Sequence, residues 1–285
     1  MHPEMTVKNH RIPSIWYKQT SNLSSGRTLN PSMIVMHYTT GWNGEGSRNW
    51  LMGAAGGTSN EGSSAHVVID RDGTAWQIAP FNRVAWHAGP SRYGDLESLN
   101  NHAIGLEFVN SGPLSPDGDG QWIDPYGHRR SDDELNAAGG FIKASHPRVG
   151  GLVYAWPNYT KVQLATGYAI LKALADQYPI SAIVSHEEID TRGWKTDPGP
   201  AFPMESFRQL LGDRNPAPRV KSVTASRLNI RKGPGVGYAR IDPPGALDTG
   251  TIVRVLSADD VWRLVEVNDG PLSGVRGWVH GAYLG

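Results

Sequence analysis

The sequence predicts an α/β domain followed by a small all-β one, and three observations carry that reading. Apolar runs of strand length are interleaved with one long helical pattern through residues 30–212. A proline-bearing polar stretch then fills residues 213–219. Beyond it, residues 220–285 hold only short β-rich runs cut by Gly and Pro turns. A chain of 285 residues is long enough for two unequal domains and a substantial core.

Residues 1–30 are polar, with Ser21, Asn22, Ser24, Ser25 and Gly26 as loop signals, and are expected to form an irregular extension. Residues 32–39, with the four consecutive apolar residues Met33-Ile34-Val35-Met36, read as a buried strand, with His37 and Tyr38 at its C-terminal end, where open sheets present ligand sites. A short helix is expected over Ser47 to Ala55. Ala65 to Asp70 and Thr74 to Ile78 flank Asp72-Gly73, the strongest short signal for a hairpin. Trp86-His87-Ala88-Gly89 has loop character, and Ala103 to Val109 reads as a further central strand that places Glu107 inside an apolar run. Residues 111–158, rich in Gly, Pro and Asp, are expected to be an irregular insertion. Val162, Ala165, Ala169, Leu171 and Leu174 recur at helical spacing and Thr160 can cap them, so a helix is expected from Thr160 to Gln177. A strand over Ile180 to Ser185 and a short helix over Met204 to Leu211 complete the domain.

Composition excludes several classes. With 27 basic and 27 acidic residues the chain has no electrostatic footprint for nucleic acid or anionic membrane. Only 19% of residues are charged, while Gly (34), Pro (20) and Trp (10) abound, which suits a loop-rich protein with aromatic-lined grooves rather than a helical bundle. Cysteine is absent, so neither disulfides nor thiolate ligands are available. No run approaches the roughly 20 apolar residues of a membrane span, and no apolar signal segment opens the chain. The protein is therefore expected to be made in the cytoplasm, reaching anything outside it only after release.

The chemistry concentrates in Ser185-His186-Glu187-Glu188-Ile189-Asp190 and Trp194-Lys195-Thr196-Asp197-Pro198-Gly199-Pro200. A catalytic zinc takes three protein ligands and keeps one position open, and His nitrogen and carboxylate oxygen both serve. His37, His186 and Asp197 can supply such a set, with Lys195 near enough to steady an oxyanion and Glu107 able to act as general base if its strand neighbours His37. On spacing alone, structural histidines and a simple Lys195–Asp197 ion pair explain the same residues.

Five motifs in one order change that balance: Met36-His37-Tyr38-Thr39, Ser64-Ala65-His66-Val67-Val68-Ile69-Asp70-Arg71-Asp72-Gly73, Trp86-His87-Ala88-Gly89, Ile104-Gly105-Leu106-Glu107 and Ser185-His186 with Lys195-Thr196-Asp197-Pro198-Gly199-Pro200. Together they resemble the type 2 N-acetylmuramoyl-L-alanine amidases, relatives of the peptidoglycan recognition proteins, over roughly residues 30–210. The resemblance implies a mixed β-sheet flanked by helices, zinc (Zn2+) on His37, His186 and Asp197, and catalytic roles for Lys195 and Glu107. Some branches of the family use a tyrosine just before the histidine of the hairpin motif; here that position is Ala65, which shifts the base role onto Glu107. His66 is expected to be structural, while His87, Tyr38 and Trp194 are candidates for substrate contact. The implied reaction cuts the amide between N-acetylmuramic acid and L-alanine, so the implied partner is peptidoglycan or its muropeptide fragments.

In the tail, Val223 to Gly235 and Gly277 to Leu284 resemble the opening and close of bacterial SH3-type domains, which commonly anchor wall hydrolases. Three functions follow as expectations. A lytic enzyme of endolysin type fits the pairing of a catalytic domain with a wall-binding one. A cytosolic muropeptide-recycling amidase fits Ser64-Ala65-His66 and Glu107, though soluble fragments need no anchor. A non-catalytic recognition protein is disfavoured, because all three metal-ligand positions are filled.

Overall fold

The computed structural model describes residues 5–150, 152–214, 220–259, 261–268 and 270–285. The chain forms two compact units, Met1–Asn215 and Pro216–Gly285. From residue 215 onward, the linker expected at 213–219 lies outside the described residues.

A six-stranded sheet runs through the first unit in the order Trp16–Tyr17, Ala75–Gln77, Val67–Ile69, Ala103–Phe108, Met33–Tyr38, Ala182–Ser185. It is mixed. The last four of these strands pair parallel, while Ala75–Gln77 returns antiparallel to Val67–Ile69. The turn between those two has Gly73 at φ +88°, a left-handed conformation that favours glycine.

Both faces of the sheet are covered, which explains why its central strands read as unbroken apolar runs. Ile34, Met36, Ile104, Leu106 and Val67 pack against Ile170, Leu171 and Leu174 of the helix Lys161–Gln177. Thr160 caps that helix, its hydroxyl accepting the Gln163 N–H at 3.2 Å. On the other face Met33, Val35, Ala103, Ala182 and Val184 pack with Ala88, Leu99 and Ile189. Side chains alternate along a strand, so His37 follows Met33 and Val35 onto this second face, and Glu107 follows Ala103. The two residues are register partners across the parallel pair.

Two expectations of irregularity need correction. The N-terminal extension joins the fold: Trp16–Tyr17 adds to the main sheet, Leu23–Thr28 pairs with Arg83–Ala85, and Ile12 and Leu29 are fully buried. Residues 111–158 form a three-stranded sheet, a helix over Asp132–Ala137 and the hairpin Phe141–Ser145/Val153–Pro157. Leu114, Trp122, Leu135 and Ala155 give this insertion a small core of its own. Its strands are too short and polar to show a period, and their partners are supplied by tertiary pairing.

In the second unit Val220–Ser222, Ile252–Asp259, Trp262–Val267 and Arg276–His280 form a four-stranded sheet, and Arg227–Asn229 pairs with Ala246–Asp248. Val223, Leu228, Ile230, Leu247, Val253, Val265, Val267 and Val279 fill its core. Among the described residues, no helix is long and apolar enough to cross a membrane.

Candidate metal centre

His37 is the penultimate residue of its strand, and His186 begins the short helix His186–Ile189 directly after the neighbouring strand. Ser185 and Glu188 close a capping box on that helix, and Glu188 is paired with the Arg208 guanidinium at 2.5 Å. Arg208 also donates from Nε to the Ile183 carbonyl at 3.1 Å, tying the helix start to the sheet. Asp197 comes from the loop that follows. Its carbonyl accepts the Glu187 N–H at 3.1 Å, and the Tyr159 hydroxyl donates to the Pro198 carbonyl at 2.7 Å. Gly199 holds φ +78°, with Trp156 so close that a Cβ would lie 2.6 Å from the indole. Only glycine suits that corner.

These elements bring three donor atoms together. His37 Nδ1 lies 3.0 Å from His186 Nδ1 and 2.9 Å from Asp197 Oδ2, and His186 Nδ1 lies 2.8 Å from the same oxygen. All three residues are buried. Bonds of about 2.0–2.2 Å from a tetrahedral zinc would set its donors roughly 3.3 Å apart, so the triangle needs to open by only a few tenths of an ångström. Two imidazole nitrogens and one carboxylate oxygen are a donor set that zinc accepts. The residues fit the ion.

Burial is the largest influence on His37 and, with the adjacent His186, lowers its pKa to about 4 despite the opposing influence of the Asp197 carboxylate. For Asp197, burial alone would raise the carboxyl. The two imidazoles beside it, His186 first and then His37, outweigh burial and hold the group well below the usual carboxylate range. The cluster thus favours an uncharged His37 beside an ionised Asp197, the protonation states a metal requires of these two ligands.

A cavity of about 820 Å³ opens over the cluster and is walled by Tyr38, His87, Glu107, Trp194 and Lys195 among others. Glu107 is buried, and among the described residues its Oε2 has no hydrogen-bond partner. Burial, followed by the nearby Asp197 charge, pushes its carboxyl well above the ordinary range, while Lys195 works in the opposite direction. Lys195 is half-buried on a loop held by Asp190, whose Oδ2 accepts the Trp194 and Lys195 N–H groups at 3.0 and 3.1 Å. Trp194 is 63% exposed under the Arg192 guanidinium, free to meet a ligand on its other face. Tyr38 is engaged with the Thr196 hydroxyl at 2.5 Å.

His87 reaches the cavity wall but both its ring nitrogens are occupied, Nδ1 with His37 Nε2 and Nε2 with the Ala103 carbonyl, each at 3.1 Å. His66 stands apart. Its Nδ1 accepts the Gly105 N–H at 3.0 Å and its Nε2 donates to the Arg83 carbonyl at 2.9 Å, deep in the core. Ala65 packs in an apolar cluster with Leu51, Met52 and Val68. Trp50 and Tyr126, both well exposed, also line the cavity, and neither is a site candidate from the sequence. An isolated aromatic in a helix or hairpin carries no local signal of its destination. Asn100 escaped the sequence because it acts on the backbone amides of His87 and Ala88, as Asp190 does on those of Trp194 and Lys195.

A family model described as N-acetylmuramoyl-L-alanine amidase matches residues 27–200. The 1,6-anhydro-N-acetylmuramyl-L-alanine amidase AmpD of Citrobacter freundii is 28% identical over 196 residues, which cover 64% of this chain and 81% of that protein. The N-acetylmuramoyl-L-alanine amidase AmiD of Escherichia coli (strain K12) is 26% identical over 155 residues, 53% of this chain and 44% of that one. A solved structure of AmiD from E. coli, in complex with anhydro-N-acetylmuramic acid-L-Ala-D-gamma-Glu-L-Lys, overlays with a TM-score of 0.46 at 20% identity. The overlay covers 76% of this chain and 68% of that one.

Proposed function

The chain belongs to the N-acetylmuramoyl-L-alanine amidase family, and from that premise we propose that it is a zinc-dependent enzyme cleaving the amide between N-acetylmuramic acid and L-alanine in peptidoglycan. One observation carries the reading: the buried His37–His186–Asp197 triangle has in register beside it the Glu107 carboxyl, whose Oε2 lacks a hydrogen-bond partner among the described residues, and Lys195 on the same cavity wall. Zinc held by His37, His186 and Asp197 would supply Lewis-acid activation of water and of the scissile carbonyl. Glu107 takes a proton from water as the oxygen adds to the carbonyl carbon, and returns it to the alanine nitrogen as the C–N bond breaks. A carboxyl raised above its ordinary range holds a proton strongly enough for that shuttle. Lys195 donates to the carbonyl oxygen as negative charge builds on it. Trp194 offers a flat apolar face at the cavity mouth for a sugar ring or stem peptide.

We read the second unit as an SH3-like wall-binding module and the whole as a wall-lytic enzyme of endolysin type. The separate barrel-like strand set of the Pro216–Gly285 unit supports this. A second reading is favoured by the similarity to relatives named as 1,6-anhydro-N-acetylmuramyl-L-alanine amidases: turnover of soluble anhydromuropeptides. Comparing rates on intact sacculi and on soluble anhydromuropeptides decides between them. For the wall-lytic reading, sacculi are cleaved faster and the inactive D197A chain sediments with them. A preference for soluble fragments with no sedimentation supports recycling instead. Cleavage of neither substrate after zinc is restored to chelator-treated protein removes both.

A further inference from the structure

Each histidine of the metal centre turns one ring nitrogen toward the other donors and the second toward the segment Trp86-His87-Ala88-Gly89. An imidazole offers the Nδ1 lone pair to a cation while uncharged only when its proton sits on Nε2. The second-side contacts set that position. His87 Nε2 lies 3.1 Å from the Ala103 carbonyl. A carbonyl only accepts, so His87 carries its proton on Nε2 and leaves Nδ1 as an acceptor. His37 Nε2, 3.1 Å from that Nδ1, must then be the donor, which leaves His37 Nδ1 bare toward His186 and Asp197. His186 Nε2 faces the Ala88 carbonyl at 3.3 Å, which in the same way leaves its Nδ1 bare. Two consecutive residues thus dictate the tautomers of both imidazoles.

The segment is itself fixed. Asn100 Oδ1 accepts the backbone N–H groups of His87 and Ala88 at 2.9 and 2.7 Å. Ser64 brackets the start of the segment, its Oγ accepting the Trp86 N–H at 2.8 Å and its own N–H donating to the Trp86 carbonyl at 2.9 Å. Below, the His87 ring lies on Gly105, where a Cβ would come within 2.5 Å of Cγ. A strand interior ordinarily disfavours glycine; here it makes room for this ring.

We propose that residues 86–89 are the outer shell of the metal centre, with His87 a positioning residue that fixes the His37 tautomer by relaying its proton bond to Ala103, and Asn100 the clamp that holds the segment. The inference rests on the metal reading above. Partners of this kind orient the ligating ring and raise its basicity, and their removal typically weakens metal affinity by about 10- to 100-fold.

The test is zinc affinity of the full chain, by competition with a chromophoric chelator, for wild type, His87→Leu, His87→Gln and Asn100→Ala. A glutamine can accept from His37 Nε2–H and donate to the Ala103 carbonyl. Expected results are a loss of about 10- to 100-fold for H87L, a smaller loss for N100A and recovery of most of the affinity in H87Q. Wild-type affinity in H87L overturns the proposal. Wild type binding no zinc at all instead overturns the metal reading, so the two failures are distinct. Should H87L fail to fold, the zinc-loaded wild type decides by nitrogen NMR of labelled histidines: a scalar coupling between His37 Nε2 and His87 Nδ1 across the N–H···N bond is expected, and its absence overturns the proposal.

Discussion

Replacing Glu107 by glutamine separates the charge of this side chain from its shape. Glu107 is only 8% exposed, its Oε2 lacks a hydrogen-bond partner among the described residues, and burial followed by Asp197 raises its pKa well above 4.5. A folded-state value above the unfolded one means that the folded chain holds a proton the unfolded chain has already released. The stabilising contribution is therefore complete below pH 4.5 and is lost as pH rises through the folded value. Inside that window, stability falls by up to about 1.4 kcal/mol per pH unit. Glutamine is neutral and nearly isosteric, so Glu107→Gln removes the slope. Urea unfolding of chelator-treated protein across pH 4 to 8 should show the two chains converging at the acid end and the variant pulling ahead as pH rises. Zinc-loaded E107Q should keep its metal and lose about 10²- to 10⁴-fold in turnover, the usual worth of a general base. Parallel stability curves would refute the buried, raised carboxyl. Undiminished turnover would remove Glu107 from the chemistry.

Three further outcomes are expected. His66 has its pKa lowered to about 4 from 6.5, chiefly by burial, so its contribution is present above pH 6.5 and is lost as pH falls toward 4. Over the 1.5 units from 6.5 to pH 5 this amounts to about 2 kcal/mol, by which the acid-range loss of stability should be larger in wild type than in His66→Gln. Arg208→Met leaves the Glu188 carboxylate without its main cation beside the helix that carries His186; a loss of about 3 kcal/mol and weaker zinc binding are expected, and unchanged denaturation would show that the brace is dispensable. Gly199→Ala forces a Cβ to 2.6 Å from Trp156 at φ +78°; a destabilisation of about 1–3 kcal/mol should appear as a lowered Tm, and an unchanged Tm would show that the corner relaxes.

Much of the first unit was legible because its strands are buried on both faces. Met33 to Met36 and Ala103 to Phe108 read as apolar runs, and Glu107 was conspicuous in one of them for the reason the register later shows: it faces the same way as His37. Thr160 was legible as a cap because its hydroxyl has a local task. The insertion was not. Ser131 and Glu134 do form a capping box there, a signal present in the sequence, but its strands are only two to five residues long, too short to carry a clear period, and their pairing depends on tertiary partners. The N-terminal extension hid for the same reason, its Ile12 anchored through a bond from its own N–H to Gln77. In the site, His37, His186 and Asp197 could be named from motifs. The motif containing His87 and Ala88 could be named too, but not their contacts to the two imidazoles or the clamp at Asn100, since Ala88 acts through a carbonyl and Asn100 through backbone amides, and such roles leave no mark on residue type.

Digestion of purified sacculi in heavy-oxygen water, followed by mass spectrometry of the products, tests the proposed reaction most directly. Cleavage of the muramoyl–alanine amide places the heavy oxygen in the lactyl carboxylate of muramic acid and releases stem peptides with free L-alanine amino termini. Asp197→Ala, which removes one corner of the donor triangle, should release none. Label at a glycosidic carbon or inside the stem peptide, or the same products from the Asp197→Ala chain, would contradict the assignment.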